Sequence, residues 1–445
     1  MGNDTRGGLL RRHRDFRLLW LGETAGRFGQ SVTVLAVPLI AVSTLHADTF
    51  EVSLLSAAPW VPWLLIGLPV GVWVDRLRRR QVMFWANIVC FALFASVPVA
   101  AWAGALKVGQ LLLVALLAGA ATVFFQTAYT AYLPDLVKPE DQAEGNAKLQ
   151  GSASAAQIVG LGCGGLLIQL AGAANGMLVN TTTFLLATLC LVGIRHREAA
   201  PERLERPRGA MAKEIREGLG LLFGDPFLRS LALFGAASNL ALSGYQSLTV
   251  VFLVREIGLS SGTIGSLAMV SGVGGVLGAF VVRRVGARLG TGRSLLMFEL
   301  VLPALALLIP LAGRGWGLTM VVLAYAGVSI GVVAGNVLKS GFVQSYCPSG
   351  VLGRLVASSA FLNYGTMPLG AVLGGALGTW LGLRPALWIL TAGVPAAALF
   401  LYCSPIRGHR DLPTGHMSVR RPETDPETDP ETDPEADPEP VEAVR

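Results

Sequence analysis

Glu23, Arg27 and Gln30 stand at i, i+4 and i+7 in an otherwise apolar stretch, so a helix would carry all three on one face. An ionisable pair inside an apolar helix is costly in lipid and faces protein or water. The chemistry open to it is proton-linked binding: protonating Glu23 frees Arg27 for a polar or anionic solute, and deprotonation restores the pair. A structural ion pair is the competing reading of the same spacing. Glu299 is the one other acid set inside an apolar run; it is a second candidate for carrying a proton, with a structural or gating contact as the preferred reading. A charge-free counterpart comes later in the chain, where Asn239, Ser243 and Gln246 share a face with Tyr245 beside them. Such a stripe can bind an uncharged or amphipathic ligand, or join helices. Gln126, Asn336 and Lys339 complete the candidate cavity residues, and the stem of Lys339 could equally snorkel to an interface.

These residues sit in long runs without charge. Residues 28–45, 52–74, 81–106, 108–134, 149–194, 230–254, 257–282, 315–338, 355–383 and 385–406 hold no Asp, Glu, Lys, Arg or His, and 294–313 is broken only by Glu299. The run 149–194 is twice too long for one crossing and has a turn signal at Gly172-Ala-Ala-Asn-Gly176. A helix needs about 20 apolar residues to cross a hydrocarbon core of roughly 30 Å, and helices satisfy their own backbone groups there. The reading is an all-α membrane protein with twelve transmembrane helices. Of the 35 Lys and Arg, the odd-numbered gaps between spans hold only Lys107, Arg255, Arg314 and Arg384, Arg27 lies inside span one, and the remaining 30 fall in the even-numbered gaps and the two tails. That split is the positive-inside pattern and predicts both termini in the cytoplasm.

The longest gap, after span six, holds Pro201, Pro207 and then Lys213 to Phe223, whose Ile215, Leu219 and Leu222 are spaced for an amphipathic helix. The expected plan is a basic tail (1–17), a six-helix bundle (18–194), a cytoplasmic linker (195–228), a second six-helix bundle (229–404) and an acidic tail (405–445). Two fragments repeat across the linker. Gln30-Ser-Val-Thr-Val34 is echoed by Gln246-Ser-Leu-Thr-Val250, and Gly160-Leu-Gly-Cys-Gly-Gly165 by Gly370-Ala-Val-Leu-Gly-Gly375. Parallel repeats of this kind are one known transporter plan. Residues 423–445 carry ten acids and one Arg with Pro every four residues, a composition expected to be disordered.

Between spans two and three lies Gly71-Val-Trp-Val-Asp75-Arg76-Leu-Arg78-Arg79-Arg80. It resembles the Gly-x-x-x-Asp-Arg-x-Gly-Arg-Arg signature of the major facilitator superfamily, with Arg78 where that family usually has Gly. The stretch Phe124 to Gly160, with Tyr132-Leu-Pro134-Asp135 at its centre, and the opening Phe16-Arg17-Leu-Leu-Trp20 are similar to the branch of macrolide-efflux and enterobactin-export proteins. The resemblance implies the major facilitator fold, with spans one, four, seven and ten lining a central cavity. It also implies gating by Gly71, Asp75, Arg76, Arg79 and Arg80, which could latch one half to the other, and helix sliding on Gly160, Gly164 and Gly165. Departures are plain: Leu161 replaces the Pro common in span five of exporters, span four has no Arg, and Gln30 follows Gly29 where the branch commonly has Asp.

The expected function is secondary active transport, as proton-coupled efflux of small hydrophobic or amphipathic compounds from a bacterial cytoplasmic membrane. A siderophore exporter, an importer on the same scaffold and a non-transporting receptor are the alternatives, since fold does not choose a substrate. The partners expected are a small-molecule substrate, protons and membrane lipid, with the chain acting as a monomer. No phosphate-binding loop, metal-ligand spacing or nucleophile constellation is present in the sequence, which speaks against an enzyme, a cofactor or a metal site, and no soluble basic domain exists to bind nucleic acid.

Overall fold

The computed structural model of the chain describes residues 8–196, 198 and 210–413. Its regular elements are all helical among the described residues. They are α1 (Leu9–Arg12), α2 (Arg14–Leu39), α3 (Thr49–Ala57), α4 (Val61–Asp75), α5 (Arg79–Trp102), α6 (Val108–Leu136), α7 (Gln142–Ala171), α8 (Ala173–Gly193), α9 (Ala210–Gly224), α10 (Pro226–Arg255), α11 (Ser261–Leu289), α12 (Thr291–Leu300), α13 (Leu318–Tyr346), α14 (Ser349–Leu381), α15 (Leu383–Ala397) and α16 (Leu399–Tyr402). Eleven helical segments are long and apolar enough to cross a membrane. The 33-residue α14 is not among them, its apolar run being diluted by Asn363, Tyr364, Thr366 and several glycines.

The helix ends follow local chemistry. Asp48 and Glu51 form a reciprocal capping box on α3, at 2.7 and 2.8 Å. Asp225 accepts from the amides of Phe227 and Leu228 ahead of Pro226 in the first turn of α10. The turn between α7 and α8 is a single residue, Gly172, at φ 86°, which a Cβ would strain. Two segments are broken: α3 reaches α4 through a 3-10 turn at Ala58–Trp60 with prolines 59 and 62, and α12 continues as the 3-10 stretch Pro303–Leu311.

Helices α2 to α8 pack chiefly on one another, as do α10 to α16. Contact between the two groups runs chiefly through α7 on α11 and through α3 and α4 on α14, with a smaller share from α3 on α10. The repeated glycines explain the symmetry. A Cβ on Gly160 would lie 2.9 Å from Phe28 O and one on Gly164 3.2 Å from Val32 Cα, so α7 lies tight on α2. In the second group a Cβ on Gly370 would lie 2.9 Å from Leu240 Cα and one on Gly374 2.5 Å from Gly244 O, so α14 lies tight on α10. The last glycine of each fragment faces the opposite group: Gly165 meets Gly265 of α11, and Gly375 meets Ser53 of α3. The repeat therefore encodes both the internal packing and the seam.

The linker helix α9 packs on α14, with Leu222 buried, Leu219 partly so, and Glu217 paired to Arg354 at 2.8 Å. Residues just past α16 dock on the start of α12: Gly292 N donates to Arg410 O, Thr291 N to Asp411 Oδ1, and Leu412 N to Thr291 Oγ1, at 2.8–3.0 Å. The first seven residues, most of the linker from 197 to 209, and the acidic tail from 414 lie outside the described residues.

Candidate functional site

Small residues decide which face of α2 is free. Gly22 and Gly29 press on α8, where added Cβ atoms would lie 3.3 Å from Ala187 Cα and 3.0 Å from Asn180 Cα. Ser31 and Val32 meet α7. Glu23, Arg27 and Gln30 lie on what remains, the face not taken up by α7 or α8, the first two half-buried and Gln30 exposed. Glu23 and Arg27 form no ion pair, with each other or with another described residue, so the i, i+4 spacing aligns them without closing them. Tyr129 of α6 lies within electrostatic reach of both and stacks on Phe125 at 6.2 Å between ring centroids. Gln126 is half-buried on the same helix.

The second group treats its polar residues differently. Asn239 donates to Asn363 Oδ1 at 3.3 Å, Asn363 to Ser359 at 3.2 Å, and Ser243 to Met367 O at 2.7 Å. Tyr245 is 3% exposed. The α10 stripe is thus spent on α14, leaving Gln246 exposed. Asn336 is exposed on α13, where Lys339 turns inward. Its Nζ forms an ion pair with Glu299 Oε1 at 2.7 Å and lies 4.6 Å from the centroid of the Phe234 ring. Glu299 is 2% exposed and seated against Gly335, whose missing side chain makes room for it.

Every hydrogen bond that joins the two groups, among the described residues, lies at the end away from the arginine-rich loops. Gly262 N donates to Gln169 Oε1 at 3.1 Å, and Ser53 and Ser247 meet at 3.4 Å. Arg255 reaches Ala47 O and, at 3.4 Å, Thr49 Oγ1. Beside that carbonyl His46 holds a positive φ of 52°. Among the described residues, no hydrogen bond between the two groups is seen at the arginine-rich end. Asp75 and Arg76 are exposed and unpaired among the described residues, and no neighbouring helix comes within 4 Å of a Cβ placed on Gly71.

Arg79 and Arg80 clamp their own group in place of the other one. Arg79 bonds Ala131 O at 3.0 Å and pairs with Asp135, while Arg80 caps the end of α8 through Leu191 O at 3.1 Å and Val192 O at 2.9 Å.

One cluster on this seam escaped the spacing argument. Trp60 stacks on Tyr364 at 5.9 Å, and Trp63 meets the same ring at 5.0 Å. Its signal was the unusual Trp60-Val-Pro-Trp63, but only the seam supplies Tyr364.

Residues 19–367 match the family model of the Major Facilitator Superfamily. The chain belongs to this superfamily. It is therefore a membrane transporter built from many spanning helices and not an enzyme. Over 395 residues it is 27% identical to the multidrug efflux pump Tap of Mycolicibacterium fortuitum, covering 86% of this chain and 92% of that one. Over 404 residues it is 22% identical to macrolide efflux protein A of Streptococcus pyogenes, covering 89% and 97%. Among solved structures, a bacterial homologue of the iron transporter ferroportin in its inward-facing state superposes with a TM-score of 0.72 at 18% identity, over 89% of this chain and 99% of that one. The last likeness bears on the fold alone.

Proposed function

We propose that this superfamily member exports small hydrophobic or amphipathic molecules, exchanging them for protons at Glu23. The observation that carries the reading is the state of its two membrane acids. Glu299 is buried against Lys339, whereas Glu23 lies on the face of α2 left free by α7 and α8, with no ion-pair partner among the described residues. A carboxylate that must take and yield a proton in each cycle needs access to water from either side in turn. In the cycle proposed, Glu23 takes a proton while the cleft faces outward and yields it while the cleft faces inward. Arg27, one turn away, offsets the charge that remains.

The basic-residue split supports placing the arginine-rich end in the cytoplasm, with α14 added to the other eleven spans to make twelve and both termini inside. In that orientation the present conformation opens inward and is sealed on the outside by Gln169, Arg255 and the Gly165–Gly265 contact. Export then requires the two groups to rock about the midplane. Export is also the activity in the names of the Tap pump and macrolide efflux protein A.

Accumulation of a panel of drugs and dyes, in cells lacking their own pumps, tests the reading. Expression should lower accumulation, an uncoupler should restore it, and Glu23→Gln should abolish uphill export while ligand binding to the purified protein persists. Full pH-driven export by Glu23→Gln would remove Glu23 from the mechanism. Accumulation that rises on expression would overturn export.

A further inference from the structure

Toward the sealed end the seam is lined by small residues. Gly375 meets Ser53, Gly378 meets Thr49, Ser53 meets Ser247 and Gly165 meets Gly265. Farther along the same seam, this lining changes to large rings. The 3-10 turn at Ala58–Trp60 presents Trp60, and the first turn of α4 presents Trp63, to Tyr364 of the other group. The turn is held from behind by Gly119 of α6, where a Cβ would lie 2.8 Å from Pro59 Cα. All three rings are half-buried, so part of their faces remains open.

The aromatic surface continues into the first group. Trp63, Phe125 and Tyr129 pack on one apolar cluster, and Tyr129 lies within reach of the Glu23 and Arg27 charges.

We infer that Trp60, Trp63 and Tyr364 form a stacking platform in the cleft that selects planar, fused-ring aromatic substrates. The inference rests on the export reading and names its substrate class. Ring faces carry negative potential and prefer offset stacking, so a flat ligand gains on them what a globular amphiphile of equal area does not. A seam that needed only closure would continue in glycine and serine, because large half-exposed rings hold backbones apart. Two of the rings belong to one helix group and the third to the other. A ligand laid across their open faces therefore touches both groups in this conformation, and loses part of that surface when they separate.

The test compares two lipophilic cations of equal charge: ethidium, which is flat, and tetraphenylphosphonium, which is not. Purified protein in detergent is titrated with ethidium by fluorescence anisotropy and with radiolabelled tetraphenylphosphonium by equilibrium dialysis. Tyr364→Ala and Trp63→Ala should each weaken ethidium binding roughly tenfold and leave tetraphenylphosphonium within about twofold. Tyr364→Phe, which keeps the ring, should bind ethidium as the parent does. Equal losses for both ligands, unchanged ethidium binding in both alanine variants, or a parent protein that binds neither would overturn the platform. The accumulation panel is scored separately, so a protein that exports round amphiphiles but ignores flat ones retains the export reading and loses this one.

Discussion

The two helix groups share a glycine code and differ in what they do with polarity. In the first, α2 leaves Glu23, Arg27 and Gln30 on its free face, without ion-pair partners among the described residues. In the second, α10 commits Asn239 and Ser243 to α14, and the acid set inside an apolar run, Glu299, is held by Lys339. The same packing skeleton therefore carries a responsive half and a self-satisfied half. Buried polar groups that find partners rigidify a bundle, whereas those left facing a cleft stay available to solute and proton. Symmetry fixes where the helices lie, and the side chains decide which half leaves polar groups unpartnered among the described residues.

That contrast can be broken at several points, the largest at the seam. Gly165→Leu drives a side chain into the Gly265 backbone, where even a Cβ would lie 2.7 Å from Cα. An overpacking cost of about 3 kcal/mol moves a two-state balance by roughly 150-fold. Export should fall to background, and a cysteine placed at Thr49 should become open to an impermeant maleimide from outside; unchanged labelling would mean that the seam is not what seals that end.

Next comes the pair in the second group. Glu299→Gln strands Lys339 and should cost about 3 kcal/mol by denaturation in detergent, with most of it recovered by adding Lys339→Met. If Glu299→Gln instead kept full stability and abolished uphill export, proton carriage would belong to the second half and the comparison would reverse.

Smaller still is Asn363→Ala, which releases Asn239. It should cost about 0.6 kcal/mol, in line with hydrogen bonds between membrane helices, and leave export intact. A large loss of export would show that the α10 stripe serves substrate after all. Least of all, Asp75→Asn should leave stability within about 0.5 kcal/mol, since Asp75 has no described partner here. Its effect belongs to the other conformation and should appear as a shift in single-cysteine labelling; an identical pattern would count against a gate at that residue.

Much of the architecture was legible in one dimension. Apolar runs located the helices, Gly172 marked the turn within 149–194, and the glycine fragments foretold a repeat whose members touch equivalent neighbours. The site was half legible. Spacing put Glu23, Arg27 and Gln30 on one face, because helical period is a local property. Spacing could not say that they would stay unpaired, or that Asn239 and Ser243 would be taken up by α14. Arg79 and Arg80 read as links between the two groups, yet both bond within their own, where Asp135 and the carbonyls ending α8 lie nearer. Tyr364 could not be joined to Trp60 and Trp63 at all, being some three hundred residues away along the chain.

The sequence by itself determined that this chain is a bundle of apolar helices with basic loops on alternate ends and a duplicated packing code, since hydropathy, charge bias and glycine spacing act over one helix or one turn. Only the tertiary structure decided which polar groups are spent and which are free, which end of the seam is shut, and which rings meet across it. Those outcomes depend on close approach between segments hundreds of residues apart, where a few tenths of an ångström at a glycine settle what can touch.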